Sequence, residues 1–343
     1  MADSWNGRAV FITGVCGTVG RELLQQLVAR QPAELIGIDN NETEIFFLAE
    51  EYRNHRHVRL YLGDVRDRDR LLHATEGVDV ILHAAALKHV LLCEQSPRDP
   101  LQTNIIGTQN VIDTAIANRV QRVIFTSSDK AVNPTNVMGT SKLMCERLIT
   151  AANALRRGAS PVFASTRFGN VLGSRGSVVP IFRQQIAVGG PVTLTDPGMT
   201  RFVMTVEEAV QLVMESVFLS RGGEVFVTKM PVVRIVDLAE VMVAELAPRC
   251  GRDPRDIEIR VIGPKPGEKM YEELMSEEET RRTVELERYF AVVPAFKTVY
   301  KSIDYDYPRI VSGEVARAYR SSLEQPLSRP QLAAYLRAGG LLS

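Results

Sequence analysis

The chain has 343 residues, 45% of them hydrophobic and 24% charged, and its 41 Lys and Arg balance its 41 Asp and Glu. At roughly 150 residues per domain that length suits two domains, and the composition excludes a disordered, collagen-like or disulfide-scaffold chain. Zero net charge provides no overall basic field to gather nucleic acid or an anionic membrane, so neither is expected as a partner.

Residues 1–8 hold no basic segment leading into an apolar core, so no secretory signal is expected. The first apolar run, Ala9 to Thr13, predicts a strand and falls far short of the ~18 apolar residues of a membrane span. No later run reaches that length, which predicts a cytoplasmic protein without membrane insertion. Short runs rich in β-branched residues predict further strands at Leu35 to Asp39, Val58 to Leu62, Val78 to His83, Arg122 to Ser127 and Pro161 to Arg167. Helical spacing between them predicts helices at Val19 to Arg30, Glu42 to Asn54, Arg68 to Thr75, Pro100 to Asn118 and Val137 to Arg157. A parallel crossover needs a long connection. The alternation therefore predicts an α/β fold, a Rossmann-type doubly wound parallel sheet with ligands at the carboxyl ends of its strands.

After Arg167, clusters of Gly and Pro at 169–180, 189–191 and 262–267 interrupt the alternation. Helices are still predicted at Val206 to Ser220 and Ile235 to Leu246, with a strand at Glu224 to Val227 and a last helix, capped by Ser328, to Leu336. Residues 1–168 are read as a nucleotide-binding domain, to which 205–230 return. Residues 169–204 and 231–300 are read as a smaller C-terminal substrate-binding lobe, and 301–343 as a tail and helix. Cys16, Cys93, Cys145 and Cys250 share no C-x-x-C spacing, so reduced thiols and no metal site are expected. His83 and His89 also lack metal-ligand spacing, and structural hydrogen bonding is expected of them.

Residues 13–20 read TGVCGTVG, placing Gly14, Gly17, Thr18, Val19 and Gly20 between a predicted strand and a predicted helix. Glycine permits a tight turn and close approach of a pyrophosphate, to which the helix start offers N–H donors and a positive dipole. Asp39, nineteen residues beyond Gly20, ends the second strand where a carboxylate can accept hydrogen bonds from an adenosine ribose. A 2′-phosphate would be repelled there, and Asn40, Asn41 and Glu42 supply no cation, so NAD is expected rather than NADP. Asp64 and Val65 would meet the adenine, and Ala84, Ala85 and Ala86 would leave room beside ring and ribose.

Residues 126–142 read TSSDKAVNPTNVMGTSK. Ser128, Asp129 and Lys130 put a hydroxyl, a carboxyl and an amine at the carboxyl end of the fifth strand, while Met138 and Lys142 share one helical face. The strings HAAALKHV (83–90), SDKAVNPTNVMGTSK (128–142), RFGNVLGSRGSVVP (167–180) and KPGEKMYEEL (265–274) resemble the bacterial UDP-N-acetylglucosamine 4,6-dehydratases. These are extended short-chain dehydrogenases/reductases of polysaccharide biosynthesis, and the chain is similar to their compact soluble form over nearly its whole length. In the short-chain dehydrogenase arrangement a Tyr occupies the place of Met138, and the Lys matching Lys142 lowers its pKa and binds the nicotinamide ribose. A thioether has no proton to exchange, so Met138 cannot be an acid or base. Several members of the resembled family also carry Met there.

The resemblance implies oxidation at sugar C4, loss of water across C5 and C6, and hydride return to C6. It implies Lys130 as the base at C5, Asp129 as the acid for the C6 hydroxyl, Ser128 as a donor to the C4 oxygen and Lys142 at the ribose. A basic Lys130 must be neutral, so burial and Lys142 are expected to lower its pKa, with Asp129 protonated for its acid role. On the substrate side it implies Lys88, Asn170, Arg175, Val179, Arg201, Lys265 and Glu268 around a UDP-sugar, and a homo-oligomer. Two other readings stay open. A UDP-sugar 4-epimerase returns the hydride to C4 and needs no base at C5; a catalytically silent NAD-binding regulator is suggested by Met138.

Overall fold

The computed structural model describes residues 5–155, 161–263, 267–296 and 303–342. The six predicted strands form as β1 (Ala9–Thr13), β2 (Glu34–Asp39), β3 (Val58–Leu62), β4 (Val80–His83), β5 (Arg122–Thr126) and β6 (Val162–Arg167). They lie in a sheet ordered β3, β2, β1, β4, β5, β6, then Val225–Thr228, Tyr289–Val292, Thr283–Leu286 and Ile310–Ser312. Pairing is parallel from β3 through Val225–Thr228. Chain order reverses between β1 and β4, which opens a crevice at their carboxyl ends.

Both faces of this sheet are covered. Along β1, Val10 and Ile12 pack with Leu24, Leu27, Val213 and Val217 on one side, while Phe11 packs with Ile81, Val123, Phe163 and Ile149 on the other. Alternate side chains thus enter opposite cores, which is why the strands read as unbroken apolar runs rather than as alternating ones. Each such burial contributes about 1.5–3 kcal/mol.

Helices α1 (Thr18–Val28), α2 (Glu42–Tyr52) and α3 (Arg68–Ala74) connect the first strands, with Asn41 and Asp67 capping α2 and α3 through their side chains. The helix predicted from Pro100 to Asn118 is instead composite: a π-helical stretch, Leu101–Ile106, precedes the α-helix Gly107–Ala117. Asn104 in the wide turns is buried and holds the chain after β4, accepting from the Leu87 N–H (2.8 Å) and donating to the Leu87 carbonyl (3.1 Å).

The lobe has its own core, in which Phe182, Ile186, Leu238, Met242 and Leu246 pack with Leu332 and Leu336 of the last helix, Arg329–Ala338. One segment departs from the expected division. The hairpin Thr283–Leu286 and Tyr289–Val292, read as lobe, pairs antiparallel onto Val225–Thr228 and widens the main sheet. Without it Val225–Thr228 would present an apolar edge to solvent.

Candidate active site

After β1 the chain turns through Gly14, whose φ is +70°, into α1. A Cβ on Gly20 would lie 2.1 Å from the Gly14 carbonyl oxygen, and one on Gly14 would lie 2.7 Å from Ala85 Cα, so glycine alone lets turn, helix and β4 end close together. Gly17 provides α1 with no side-chain cap, which leaves its first-turn N–H groups for an outside acceptor. Asp39 accepts from the Cys16 N–H at 3.0 Å and the Asn41 N–H at 3.1 Å, tying the end of β2 to the glycine turn. Asp64 is engaged by Arg66, whose Nε and Nη2 donate at 2.9 and 2.6 Å, and Val65 is buried against the position of Gly107.

A cavity of about 470 Å³ opens beside this turn, lined by Gly14, Gly17, Thr18, Val19, Gly20, Ala84 and Ala86 on one wall. Its other walls bring in Ser128, Asp129, Lys130, Met138, Lys142 and the strap from Gly169 to Ser177. Four cations, Lys88, Lys130, Lys142 and Arg175, face one carboxylate, Asp129, across it. A chain of zero net charge has thus concentrated positive charge where an anion would lie. Two lining hydroxyls missed in the sequence, Ser127 and Ser177, have buried oxygens with no hydrogen-bond partner among the described residues. Such oxygens point to a polar ligand. Cradle, uncapped helix and cations together fit a dinucleotide.

Under the glycine turn, His83 is fully buried, its ring nitrogens 2.7 Å from Thr13 Oγ1 and 3.0 Å from Thr108 Oγ1. Burial, and then Lys142, push its pKa down to about 3. The unfolded chain takes up a proton below about pH 6.5 that this ring refuses, so His83 costs stability progressively as pH falls from about 6.5 to 3. Imidazole NMR should show one histidine without titration across that range. Five histidines all titrating near their ordinary value would contradict it.

At the end of β5, Ser128 begins a single tight turn, Asp129–Ala131. The following helix, Val137–Ala152, starts directly against that turn. A Cβ on its Gly139 would lie 2.2 Å from the Lys130 carbonyl oxygen. This contact brings Met138, buried, and Lys142 to the cavity beside Asp129 and Lys130. Lys142 Nζ donates to the Thr126 carbonyl at 2.8 Å and lies 4.6 Å from the Phe125 ring centroid, and burial lowers its pKa to about 8.

Ser128 Oγ donates to Asp129 Oδ1 at 2.6 Å, and Lys130 Nζ reaches both Asp129 oxygens, at 3.2 and 3.1 Å. The expected lowering of the Lys130 pKa is overturned. Burial pulls it down, but Asp129 and Glu272 outweigh that and hold it above the ordinary range. Burial likewise favours a protonated Asp129, yet Lys130 and the Ser128 hydrogen bond keep its pKa lowered. The pair rests as ammonium and carboxylate.

Glu272 was missed, although the motif KPGEKMYEEL contains it. It is buried, its Oε1 accepting from Asn170 Nδ2 at 2.9 Å and its Oε2 from the Phe202 N–H at 3.2 Å. Arg201 Nε lies 3.3 Å away and Lys130 Nζ 3.8 Å. Nothing in spacing or periodicity distinguishes it from the neighbouring Glu273, which pairs with Arg320 at 2.7 Å.

The substrate-side candidates divide. Asn170, Arg201 and Glu268 line a second cavity of about 290 Å³ that shares Asn170, Val171, Ser174 and Ser177 with the first. Lys88 Nζ donates to the Arg175 carbonyl at 3.0 Å. Arg175 itself reaches back to Glu44 on α2 at 2.8 Å, pinning the strap across the glycine turn. Val179 does not reach either cavity: its side chain is 2% exposed within the lobe core, where the first turn of its helix packs inward. Lys265 lies outside the described residues.

A family model described as polysaccharide biosynthesis protein matches residues 10–294. The chain belongs to this family. It is 50% identical over 294 residues to an uncharacterized membrane protein of Methanocaldococcus jannaschii, covering 86% of this chain and 88% of that one. It is 37% identical over 303 residues to a UDP-N-acetylglucosamine 4,6-dehydratase (inverting) of Campylobacter jejuni, covering 88% and 87%. UDP-glucose 4-epimerases from Rickettsia species, among them that of Rickettsia rickettsii at 83% and 82% coverage, reach the same 37%. The X-ray structure of Pen from Bacillus thuringiensis superposes with a TM-score of 0.91 at 40% identity over 99% of both chains. Among the described residues of this family member, no helix is long and apolar enough to cross a membrane.

Proposed function

We propose that the protein is an NAD-dependent nucleotide-sugar 4,6-dehydratase acting on UDP-N-acetylglucosamine. The observation that carries this reading is the turn Ser128–Asp129–Lys130, which sets an amine and a carboxyl group 3.1 Å apart on the wall of the dinucleotide cradle. A C4 epimerase, the other activity named among the curated relatives, requires no base at C5 and leaves that pair without work.

Gly14, Gly17, Thr18, Val19 and Gly20 would hold the pyrophosphate, Asp39 the adenosine ribose, and Lys142 the nicotinamide ribose. Asp64, Val65 and Ala84 to Ala86 would border the adenine end. When bound, NAD supplies oxidation at sugar C4 and the later return of that hydride to C6. The ketone at C4 acidifies the C5 proton, which Lys130 removes as the neutral amine. Asp129, protonated, gives its proton to the departing C6 hydroxyl. Ser128 donates to the C4 oxygen, and Lys142, charged below about pH 8, favours loss of the C4 hydroxyl proton. Asn170 and Arg201, with Glu268, border the cavity that would take the sugar and its diphosphate; Lys88 and Arg175 hold the strap over it.

Incubating the purified protein with UDP-N-acetylglucosamine should yield a nucleotide sugar lighter by one water by mass spectrometry. A product of unchanged mass with altered C4 configuration would replace this reading by epimerisation. Dinucleotide binding without turnover of any nucleotide sugar would favour the silent regulator.

A further inference from the structure

The resting pair poses a ledger problem. Lys130 is an ammonium between two carboxylates, Asp129 and Glu272, yet a base at C5 must start as the amine. Two protons leave the sugar, from the C4 hydroxyl and from C5, and two are consumed, one in the water released and one at C5 after hydride return. Those four transfers balance among themselves. The proton that Lys130 carries at rest needs a separate place for the duration of turnover, and Met138, where a phenol would otherwise stand, offers none.

We propose that Glu272 is that place: it accepts the resting proton of Lys130 when substrate enters and returns it when product leaves. The step breaks one N–H bond on Nζ and forms one O–H bond on a Glu272 oxygen. An ion pair becomes two neutral groups, so it is favoured as the sugar displaces water from the cavity. Lys130 then takes the C4 hydroxyl proton and passes it to Asp129, takes the C5 proton, and later returns a proton to C5. The proposal rests on the dehydratase reading above.

The geometry suits Glu272 to this task. Its Oε1 lies 3.8 Å from Nζ, in reach after a small side-chain shift or through one water. Its other contacts are neutral donors, Asn170 Nδ2 and the Phe202 N–H, apart from Arg201 at 3.3 Å. The charged groups facing it come from every side: Asp129 and Lys130 from the turn after β5, Arg201 from the strand Thr200–Met204, and Lys269 from its own segment. Lys269 is anchored by the Val132 and Asn133 carbonyls. Arg201 also holds Glu268, at 3.7 Å. Burial, and then Asp129, raise the Glu272 pKa to about 7 against the opposing pull of Lys130 and Arg201, poising it to gain and lose a proton at neutral pH.

Steady-state kinetics of the wild type and of E272Q, with UDP-N-acetylglucosamine across a pH series, provide the test. Wild-type kcat/KM should rise with pH through about 7, because only the carboxylate of the free enzyme can receive the proton. In E272Q that limb should vanish and kcat should fall about 100-fold or more, with a smaller change in KM, and E272D should recover part of the loss. A rise in KM with the limb intact would show that Glu272 only positions Asn170 and Arg201, overturning the proposal. If E272Q fails to fold, carboxyl NMR of the substrate-free wild type decides. A glutamate titrating near 7 whose signal moves on adding substrate supports the proton store, and none overturns it. Wild-type protein that releases no water from the substrate overturns the dehydratase reading, and this proposal with it; normal wild-type turnover beside an unaltered E272Q profile overturns this proposal alone.

Discussion

Replacing Lys130 by Met is expected to lower the rate of water elimination from UDP-N-acetylglucosamine by about 10²–10⁴-fold, the usual weight of a positioned acid or base. Met keeps the length of the side chain and removes the amine. The glycine turn, Asp39 and the Lys142 contact to the Thr126 carbonyl do not involve Lys130, so dinucleotide affinity should stay near that of the wild type. Asp129 and Glu272 would then lose their shared cation, and burial would push both toward the protonated form. The variant therefore keeps an acid for the C6 hydroxyl and lacks a base for C5. Turnover in heavy water separates the two: the wild type should place solvent deuterium at C5 of the product, and the variant should leave C5 of recovered substrate unlabelled. Wild-type rates of dehydration in Lys130→Met would remove Lys130 from the chemistry.

The parts of the molecule legible in the sequence are those fixed by local pattern. β1 and β3 form over the predicted residues: β1, buried on both faces, reads as a bounded apolar run, and β3, an exposed edge strand, still carries Val58, Leu60, Tyr61 and Leu62 in a short run. Gly14, Gly17 and Gly20 were legible for the same reason: the contact that demands glycine, Gly20 against the Gly14 carbonyl, lies within one turn. Long-range partners left no such trace. The hairpin Thr283–Leu286 and Tyr289–Val292 belongs to the main sheet through pairing with a strand some sixty residues earlier. Arg175 carries the charge that a diphosphate would need, and its pairing with Glu44 on α2 could not be read from the sequence. Glu272 became visible once folding set it beside Asn170, Arg201 and Lys130. The protonation states of Lys130 and Asp129 depend on those same neighbours, which is why the expected amine and acid appear at rest as an ion pair.

The second large effect is expected at a buried residue that lines neither cavity. Arg167, at the end of β6, is 2% exposed and is held on both sides: Nε and Nη2 donate to Glu146 at 2.8 and 2.6 Å, and Nη1 and Nη2 donate to Glu279, each at 2.9 Å. Glu146 lies one turn beyond Lys142 on the same helix, and Glu279 follows the segment that carries Glu272, so a single guanidinium joins two walls of the site. Arg167→Met would leave two buried carboxylates facing each other, at a cost of about 3–5 kcal/mol. The pH dependence identifies the cause. Burial would push Glu279 up, but Arg167 overrides it and holds its pKa near 2, so in the wild type this contribution is complete above about 4.5 and is lost as pH falls from about 4.5 to 2. Without Arg167, burial should lift the Glu279 pKa well above its wild-type value, so the variant should lose less stability than the wild type as pH falls. Urea midpoints measured across a pH series should therefore converge toward acid. Parallel curves for the two proteins would mean that the loss is one of packing, and that Arg167 holds the site together by its volume rather than by its charge.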